Sequence, residues 1–329
     1  MGLYSREILM GMAAAHPEVG FDFWYRPHRY FRARSVQLPP NVRRRLLAEP
    51  LGPRSAFLFH GLNQRLPKVP LARAIATFHD LFVMSGEYST PEFRERFTAQ
   101  ARDAAARASA IIAVSAFTKG QVVSLLGVDA EKVRVVHHGT RKLRFPPGVR
   151  REKIILNVGA VQTRKNIARL VEAFETVDSS WRLVIVGARG YGSGEILRRI
   201  GQSPARDRIS VTGYVSPETL AAHYASAMIF AFPSLDEGFG MPLLEAMAAG
   251  IPIVTSNRSA LPEVAGDAAI LVDPESTAPL GKALRDLAGS PERRHELSLL
   301  GEKRAELFTW EKAVSETWQI YQDVTRQAQ

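Results

Sequence analysis

From residue 154 onward, short apolar runs alternate with segments of helical pattern, and this alternation restricts the possible folds more than any other feature of the chain. The apolar runs predict strands at 154–158, 181–186, 209–212, 228–232, 251–255 and 269–272. The intervening segments predict helices at 166–177, 195–201, 218–227, 242–249 and 277–288. This spacing is typical of βαβ units, in which helices cover both faces of a parallel sheet. It predicts a doubly wound α/β domain.

The first half of the chain has a similar but less regular pattern. It predicts helices at 4–15, 91–108 and 116–126, with strands near Phe21 and Phe57 and at 74–78, 110–114 and 133–136. Glycine and proline concentrate at 137–150, which favours a linker there. We therefore expect two doubly wound Rossmann-like α/β domains, 1–142 and 143–329. A last helix at about 310–326 is expected to pack back on the first domain. Ligands of such sheets bind beyond the carboxyl ends of the strands, so the active site is expected in a cleft across which the domains face each other.

One loop in the second half carries the strongest functional signal. The residues EGFGMPLLE at 237–245 follow a predicted strand and lead into a predicted helix. Glycines at 238 and 240 allow a ligand to approach the backbone, and the helix N-terminus attracts anions. Glu237 and Glu245 are suited to accept hydrogen bonds from hydroxyl groups. The loop therefore predicts a ligand with both a phosphate and a polyol.

Composition excludes several protein classes. The chain has 329 residues, 46% hydrophobic and 23% charged, which is ordinary for a globular protein of two domains. It has no cysteine, hence no disulfide and no thiolate nucleophile or metal ligand. No apolar run reaches the roughly 18 residues of a membrane span, and the first ten residues do not resemble a signal peptide. We expect a cytoplasmic protein.

Positive charge is concentrated in the first half. Residues 1–142 contain 21 Lys and Arg against 11 Asp and Glu, whereas residues 143–329 contain 22 of each class. The densest basic stretch mixes arginines with aromatic residues: Arg26, Arg29, Arg32, Arg34, Arg43, Arg44 and Arg45. Such a mixture suits an anionic membrane or a lipid-phosphate acceptor, single-stranded nucleic acid, or simply a solvated basic face.

The motifs and their order resemble the family 4 retaining glycosyltransferases, which have the two-domain GT-B architecture. Besides 237–245, the similarity covers GAVQTRKN at 159–166, GIPIVTS at 250–256, LPEV at 261–264 and FTWE at 308–311. In the first half it covers TFHD at 77–80 and SAFTK at 115–119. In this order the set is specific, and it covers most of the chain.

The resemblance implies roles for particular residues. Arg164 and Lys165, in the loop that begins at Gly159, would neutralise the donor diphosphate and the charge that develops on the leaving group. Glu237 would hold hydroxyls of the donor sugar, and Glu245 would accept hydrogen bonds from the ribose. The backbone at the glycine loop would contact the sugar or phosphate, through Gly238, Phe239, Gly240 and Met241.

The family also implies roles for the first domain. His79 would contact the donor sugar near the reacting carbon. His60, on a similar edge, is a second candidate on the acceptor side. His137 and His138 receive no catalytic role from the motifs.

The family reaction is sugar transfer with retention at the anomeric carbon, by front-face attack in which the leaving phosphate takes the acceptor proton. No metal or other cofactor is expected, because Arg164 and Lys165 supply the positive charge.

The motifs most resemble mannosyltransferases of bacterial surface-polysaccharide assembly, which implies GDP-mannose as donor, with a UDP-sugar second. The acceptor would be a lipid-linked or polysaccharide glycan at the cytoplasmic membrane face. An anionic membrane surface, rather than nucleic acid, would then contact the arginines.

Two departures from the family pattern matter. Relatives open with a strand and a glycine-rich loop, whereas this sequence begins near the end of that loop, so the first strand is expected to be absent. Either the start of the sequence is misassigned or the chain is truncated, and whether it is active stays open. Ala160 stands where many relatives carry arginine, which would leave more of the phosphate contact to Arg164.

Other functions remain open. The residues GARGYGSG at 187–194, with Asp207 beyond them, weakly resemble a dinucleotide-binding loop of an oxidoreductase, although the spacing differs from the fingerprint. A GT-B sugar-nucleotide epimerase and a non-catalytic, basic membrane-binding protein of GT-B fold are the further alternatives.

Overall fold

The chain divides into two units in the computed structural model, which describes residues 2–48, 52–53, 56–141 and 143–326. The first unit takes in Met1–Met84, Pro91–Gly139 and Thr309–Gln329. The second takes in Ser85–Thr90 and Thr140–Phe308. The predicted division after residue 142 falls at Lys142, which lies outside the described residues.

The second unit alternates strands with helices. Its strands are β7 Glu152–Val158, β8 Arg182–Val186, β9 Ile209–Gly213, β10 Ala227–Phe232, β11 Ile253–Ser256 and β12 Ile270–Val272. Its helices are α6 Ile167–Phe174, α7 Ser193–Gly201, α8 Pro217–Ser226, α9 Met241–Ala248, α10 Leu261–Ala265, α11 Thr277–Gly289 and α12 Pro291–Ala305. Each element predicted for this region lies within three residues of these bounds. The apolar pattern does not predict α12, although Ser290 caps it by accepting a hydrogen bond from the Arg293 N–H.

All strand pairs described in this sheet are parallel, in the order β12-β11-β10-β7-β8-β9. The strands are apolar on both faces because helices cover both. Ile155 and Ile229 in the strands and Phe174 in α6 are fully buried in one cluster. Full burial of a side chain of this size contributes about 2 kcal/mol. The sequence of the strands therefore dictates a sheet in the middle of the unit.

The first unit has shorter strands. They are β1 Phe21–Tyr25, β2 Val42–Leu46, β3 Phe59–Gly61, β4 Ala74–Phe78, β5 Ala110–Ala113 and β6 Val133–Val135. The helices are α1 Leu3–Ala15, α2 Pro27–Tyr30, α3 Phe82–Ser85, α4 Pro91–Arg107, α5 Ala116–Leu126 and α13 Trp310–Arg326. The division between the two units falls within short α3, since Met84 is assigned to the first unit and Ser85 to the second.

The described strands of the first unit form two parallel sheets. One contains β3-β4-β5-β6, and the other pairs β1 with β2. Each sheet has its own core: Phe78 and Ile111 belong to one cluster, whereas Phe23 and Val42 belong to another. The sequence pattern predicts neither this separation nor β2, since β2 contains Arg43, Arg44 and Arg45 and has little apolar periodicity.

Helix α13 packs on α1 within the first unit. A Cβ placed on Gly11 of α1 would lie 2.5 Å from Cγ2 of Val314, so glycine is needed for this close approach of the two helices. The rings of His16 and Trp318 stack with centroids 3.6 Å apart. The last helix is thereby part of the first unit.

Candidate active site

The candidate site of the second unit lies where its strand order reverses. β8 and β9 follow β7 on one side of the sheet, whereas β10, β11 and β12 extend on the other. Helices after β7 and β10 therefore cover opposite faces, and a crevice opens beyond the carboxyl ends of these two strands. Gly159 directly follows β7, and Glu237 follows β10. The two loops named by the sequence motifs thus meet at one point of the fold.

Asn166 shapes the loop after β7. Its backbone is left-handed, with φ 57°, and it ends the 3₁₀ turn Thr163–Lys165. Its buried side-chain amide donates to the carbonyls of Pro233 and Pro274 at 3.0 and 2.7 Å. Asparagine tolerates this conformation better than most residues because its short polar side chain bonds locally. The turn before it directs Arg164 and Lys165 into the unit, where both are buried.

The buried cations pair with Glu237. Lys165 Nζ lies 2.5 Å from Glu237 Oε1, and Arg164 Nη1 lies 2.9 Å from Oε2. Arg164 also donates to the Asp236 carbonyl. Burial raises the pKa of the Glu237 carboxyl, but Lys165 and Arg164 outweigh that effect, and its pKa falls below the usual value. The residues predicted to bind the phosphate and the residue predicted to bind the sugar therefore form one charged cluster.

The backbone conformation at position 159 favours glycine, and Lys165 packs close to it. The φ of Gly159 is 153°, and a Cβ there would lie 3.1 Å from Lys165 Cε. Lys165 Nζ also lies 4.7 Å from the centre of the Phe232 ring, a distance at which a cation and an aromatic face attract each other. The lysine is thus held between the ends of β7 and β10.

The glycine loop leads into α9 as predicted. Gly240 has φ 104°, and a Cβ there would lie 2.9 Å from a Leu261 methyl group. Helix α9 begins at Met241 with no side-chain cap. Pro242 has no N–H and the Leu243 N–H donates to the Gly240 carbonyl at 2.9 Å, so Met241 is the first-turn residue whose N–H is suited to bind an anion. Gly238 and Phe239 are buried, and the Phe239 ring packs edge-on against Phe308.

Glu245 contacts two residues that the motifs do not identify. Its Oε2 accepts a 2.9 Å hydrogen bond from the Tyr224 hydroxyl, and its Oε1 lies 3.3 Å from Arg141 Nε. Burial raises the pKa of Glu245, and Arg141 and the Tyr224 hydrogen bond oppose that shift. Tyr224 is fully buried in α8, while the Arg141 side chain is 34% exposed. No local pattern could have identified either one, because the contacts join distant segments.

A short segment from the first half of the sequence also joins this unit. Ser85 Oγ donates to Asp236 Oδ2 at 2.7 Å. Tyr88 lies near enough to Asp236 and Arg164 for their charges to affect its pKa, which burial raises. Segment Ser85–Thr90 therefore borders the Glu237 cluster, which its position in the sequence did not predict.

His79 lies in the first unit, just after β4. Its Nε2 is 3.0 Å from the Leu62 carbonyl oxygen, and its Nδ1 is 3.3 Å from Nε2 of His138. The Tyr4 ring contacts it edge-on, with centroids 4.6 Å apart. Burial lowers its pKa below the usual value for histidine, so the ring is neutral at pH 7.

His60 is also engaged within the first unit. Its Nδ1 lies 2.6 Å from the Tyr321 hydroxyl, and its Nε2 lies 2.7 Å from Thr77 Oγ1. Burial lowers its pKa to about 3. Both ring nitrogens of this predicted acceptor-side residue are thus bonded to neighbouring side chains.

The predicted basic stretch is largely accessible in the first unit. Five of its arginines are exposed: Arg26, Arg29, Arg34, Arg43 and Arg45. Arg44 is half-buried and donates to the Val36 carbonyl at 2.7 Å, and the side chain of Arg32 lies outside the described residues. Arg45 pairs with Asp22 at 3.2 Å. The others retain positive charge at the surface.

The glycine-rich loop at 187–194 supports the loop after β7. A Cβ on Gly192 would lie 2.1 Å from Thr163 Oγ1, and the Val161 N–H donates to the Ala188 carbonyl at 2.8 Å. The Asp207 side chain is 90% exposed and lies beside Arg206. Gly192 therefore has a packing role.

The described residues contain neither a metal-binding cluster nor a membrane-spanning helix. No group of three or more His, Cys, Asp or Glu side chains among them is placed to hold a metal ion. None of the helices in the described ranges is long and apolar enough to cross a membrane.

Comparison with protein families and relatives agrees with this geometry. The model "Glycosyl transferases group 1" matches residues 140–304, and "Glycosyltransferase Family 4" matches residues 16–141. The chain is 28% identical over 282 residues to O-antigen chain mannosyltransferase B of Escherichia coli, covering 80% of this chain and 74% of that protein. It is 32% identical over 220 residues to MMP alpha-(1->4)-mannosyltransferase of Mycolicibacterium hassiacum, covering 64% of this chain and 53% of the relative.

Solved structures show the same fold. Sucrose-phosphate synthase from Thermosynechococcus elongatus matches with a TM-score of 0.76 at 23% identity, over 98% of this chain and 92% of that one. WaaG, a glycosyltransferase involved in lipopolysaccharide biosynthesis, matches with a TM-score of 0.68 at 17% identity, over 90% and 98%. The fold prediction, two Rossmann-like α/β domains of GT-B type, is confirmed. The chain belongs to the group 1 glycosyltransferases, and it is a glycosyltransferase with a family 4 first domain.

Proposed function

We propose that this glycosyltransferase moves a hexose, namely mannose, from a nucleotide-diphospho-sugar to a lipid-linked or polysaccharide acceptor in cell-surface glycan synthesis. The observation that carries the proposal is the buried cluster of Arg164, Lys165 and Glu237 beyond β7 and β10. It places two cations and one carboxylate beside the start of a helix. A diphosphate and a sugar hydroxyl need that combination.

The cations and the helix would bind the diphosphate. Arg164 and Lys165 would share their charge between Glu237 and the phosphate oxygens, and the N–H groups at Gly240 and Met241 would donate to the same ligand. As the glycosidic bond breaks, negative charge grows on the leaving phosphate. Preorganised cations stabilise that charge more than they stabilise the ground state.

The glutamates would bind the two hydroxylated parts of the donor. Glu237 is held ionised by its two cations, so it can accept hydrogen bonds from sugar hydroxyls. Glu245 would accept hydrogen bonds from the ribose, while Tyr224 and Arg141 fix its orientation. Both groups act in binding, which separates this arrangement from the acid and nucleophile pair of a glycosidase.

Retention would follow from front-face attack by the acceptor. In this step the acceptor hydroxyl oxygen bonds to the anomeric carbon on the same face from which the leaving group departs. The hydroxyl proton passes to the departing phosphate oxygen. His79 would assist by contacting the donor sugar. No metal is required in this scheme, because Arg164 and Lys165 supply the positive charge.

The names of the relatives favour mannose. Two of them are mannosyltransferases, and one acts on the O-antigen chain. We take GDP-mannose as the first donor and a UDP-sugar as the second, since a structural neighbour, HepE of Anabaena, was solved with UDP and glucose. The exposed arginines of the first unit would hold the protein on the anionic cytoplasmic face of the membrane, near a lipid-linked acceptor.

A panel of nucleotide sugars tests the proposal. Thermal unfolding is measured with GDP-mannose, UDP-glucose, GDP, UDP and ATP, since a ligand at 100 times its Kd stabilises by about 2.7 kcal/mol. GDP-mannose should give the largest shift among them. Transfer to a lipid-linked glycan should then yield a product with the donor's anomeric configuration, read by NMR. If no nucleotide sugar stabilises the protein, the proposed donor site is wrong, and an inverted product excludes the mechanism.

A further inference from the structure

Two histidine rings, a tyrosine and a tryptophan pack together in the first unit. His79 follows β4, His138 follows β6, and Tyr4 lies on α1. The ring centroids of His79 and His138 are 5.2 Å apart, and their planes differ by 28°. The two planes are close to parallel, and His79 Nδ1 lies 3.3 Å from His138 Nε2, within hydrogen-bond distance.

The contacts assign each proton in this pair. A carbonyl oxygen can only accept, so His79 Nε2, 3.0 Å from the Leu62 oxygen, must carry a proton. A neutral His79 then has a lone pair on Nδ1. The neighbouring Nε2 of His138 must therefore carry a proton and donate it to that lone pair. Burial lowers the pKa of both rings, which keeps both neutral at pH 7.

Packing holds His138 in this position. Its side chain is buried, with only 5% exposure for the residue, and Trp310 lies on one side with centroids 5.8 Å apart. The Tyr4 ring contacts both histidines, at 4.6 and 4.9 Å between centroids. The Tyr4 hydroxyl is 3.0 Å from Thr77 Oγ1, which fixes the tyrosine in turn. His138 is therefore oriented by its neighbours, independently of any ligand.

We propose that His138 is a positioning residue for His79: together with the Leu62 carbonyl, it holds His79 in the tautomer that is protonated on Nε2. Fixing the tautomer of a histidine by a hydrogen bond to its other nitrogen is a general way of setting its chemistry. Both ring nitrogens of His79 are then occupied, Nε2–H by the Leu62 carbonyl and Nδ1 by His138, so the ring offers a substrate no basic nitrogen. The consequence for the reaction rests on the proposed function: His79 would not remove the acceptor proton.

Histidine NMR tests the tautomer without any substrate. The protein is labelled with ¹⁵N-histidine, and the two ring nitrogens of each histidine are assigned from long-range ¹H–¹⁵N correlations at pH 7.5. The His79→Gln variant identifies the His79 signals by their loss. Wild-type His79 should show a protonated Nε2 and an unprotonated Nδ1.

Two substitutions of His138 separate positioning from packing. His138→Gln retains a side-chain N–H at a similar reach, whereas His138→Leu fills the space without a donor. His79 should stay in the Nε2-protonated form in His138→Gln and become a mixture of tautomers in His138→Leu. The neighbouring His137→Gln is the control and should leave the His79 signals unchanged. The proposal is overturned if wild-type His79 is protonated on Nδ1, or if His138→Leu leaves its tautomer unchanged.

Kinetics then measure the effect on transfer. His138→Leu should lower kcat about tenfold with little change in the donor KM, as expected when a group that fixes a tautomer is lost. His138→Gln should restore most of the rate. A wild-type protein that transfers no sugar would refute the proposed function, while the NMR result would still decide the role of His138. Equal rates in His138→Leu and His138→Gln would overturn the role of the hydrogen bond in transfer.

Discussion

Lys165 Nζ lies 2.5 Å from Glu237 Oε1, and both side chains are only 9% exposed. The two residues come from loops after different strands and meet because β7 and β10 are neighbours in the sheet. Removing one partner of a buried pair leaves an unbalanced charge in a poorly solvated place. The same two residues are therefore expected to contribute both to donor binding and to the stability of the fold.

Substitution of either partner should abolish transfer while the fold survives. For Glu237→Ala we expect a loss of about 3 kcal/mol in the free energy of unfolding, because two buried cations lose their counterion. Lys165→Ala should lose less, since Arg164 still pairs with the carboxylate. Donor turnover and urea unfolding measure the two effects. Near wild-type turnover in either variant would contradict the site assignment, and Lys282→Ala, which removes an exposed pair, is the control.

The two glutamates should affect stability in opposite directions with pH. The folded pKa of Glu237 lies below its ordinary value of 4.5, so its contribution is present above pH 4.5 and is lost as the pH falls through the folded pKa. The folded pKa of Glu245 lies above 4.5, so its contribution is present below pH 4.5 and is lost as the pH rises through the folded pKa. Unfolding of Glu237→Gln and Glu245→Gln, each compared with wild type from pH 3 to pH 7, should give slopes of opposite sign. If the stability differences of both variants changed with pH in the same direction, the opposite pKa shifts of Glu237 and Glu245 would be wrong.

Tyr224→Phe should weaken donor binding with little change in kcat. The variant removes one buried hydrogen bond to Glu245, which costs about 1 kcal/mol, or roughly a fivefold rise in donor KM. Because Glu245 is proposed to bind ribose, discrimination against a 2′-deoxyribose donor should also decrease. Tyr214→Phe, at a residue that is 85% exposed, is the matched control. An unchanged KM would show that Tyr224 does not orient Glu245.

Ser85→Ala should weaken donor binding, although Ser85 lies in a segment outside all the sequence motifs. The variant removes the hydroxyl that donates to Asp236, next to Glu237, and we expect a KM increase of about fivefold, corresponding to roughly 1 kcal/mol. Ser89 lies in the same segment, and its buried Oγ has no hydrogen-bond partner among the described residues, so Ser89→Ala is the control. Equal effects of both substitutions would indicate a general role of the segment in folding only.

Vesicle binding should depend on the arginines of the first unit. Replacement of Arg26, Arg29 and Arg43 by serine should weaken binding to vesicles with anionic lipid, by up to about 1 kcal/mol for each charge. Replacement of three exposed cations of the second unit, Arg198, Arg206 and Lys303, should have less effect. Sedimentation at low and high salt measures both sets, since surface attraction is screened. Salt-independent binding would contradict attachment by charge.

The fold of the second unit could be predicted closely because its strands are continuous apolar runs. Such runs must be buried on both faces, and that requirement leaves few arrangements. In the first unit the same reasoning fails at β2, where Arg43, Arg44 and Arg45 occupy a strand. β2 is a strand because it pairs with β1, and this pairing cannot be predicted from its charged sequence. Strand formation there depends on tertiary context.

The sequence by itself determined the alternation of strands and helices, the family, and the loops after β7 and β10 that carry Lys165 and Glu237. These features are local, since they depend on periodicity, glycines and motif order. Only the tertiary structure decided what each functional group contacts: Tyr224 with Glu245, Ser85 with Asp236, and His138 with His79. The physical reason is that a hydrogen bond requires two groups within about 3 Å, and which distant segments come that close is set by how strands pair and helices pack.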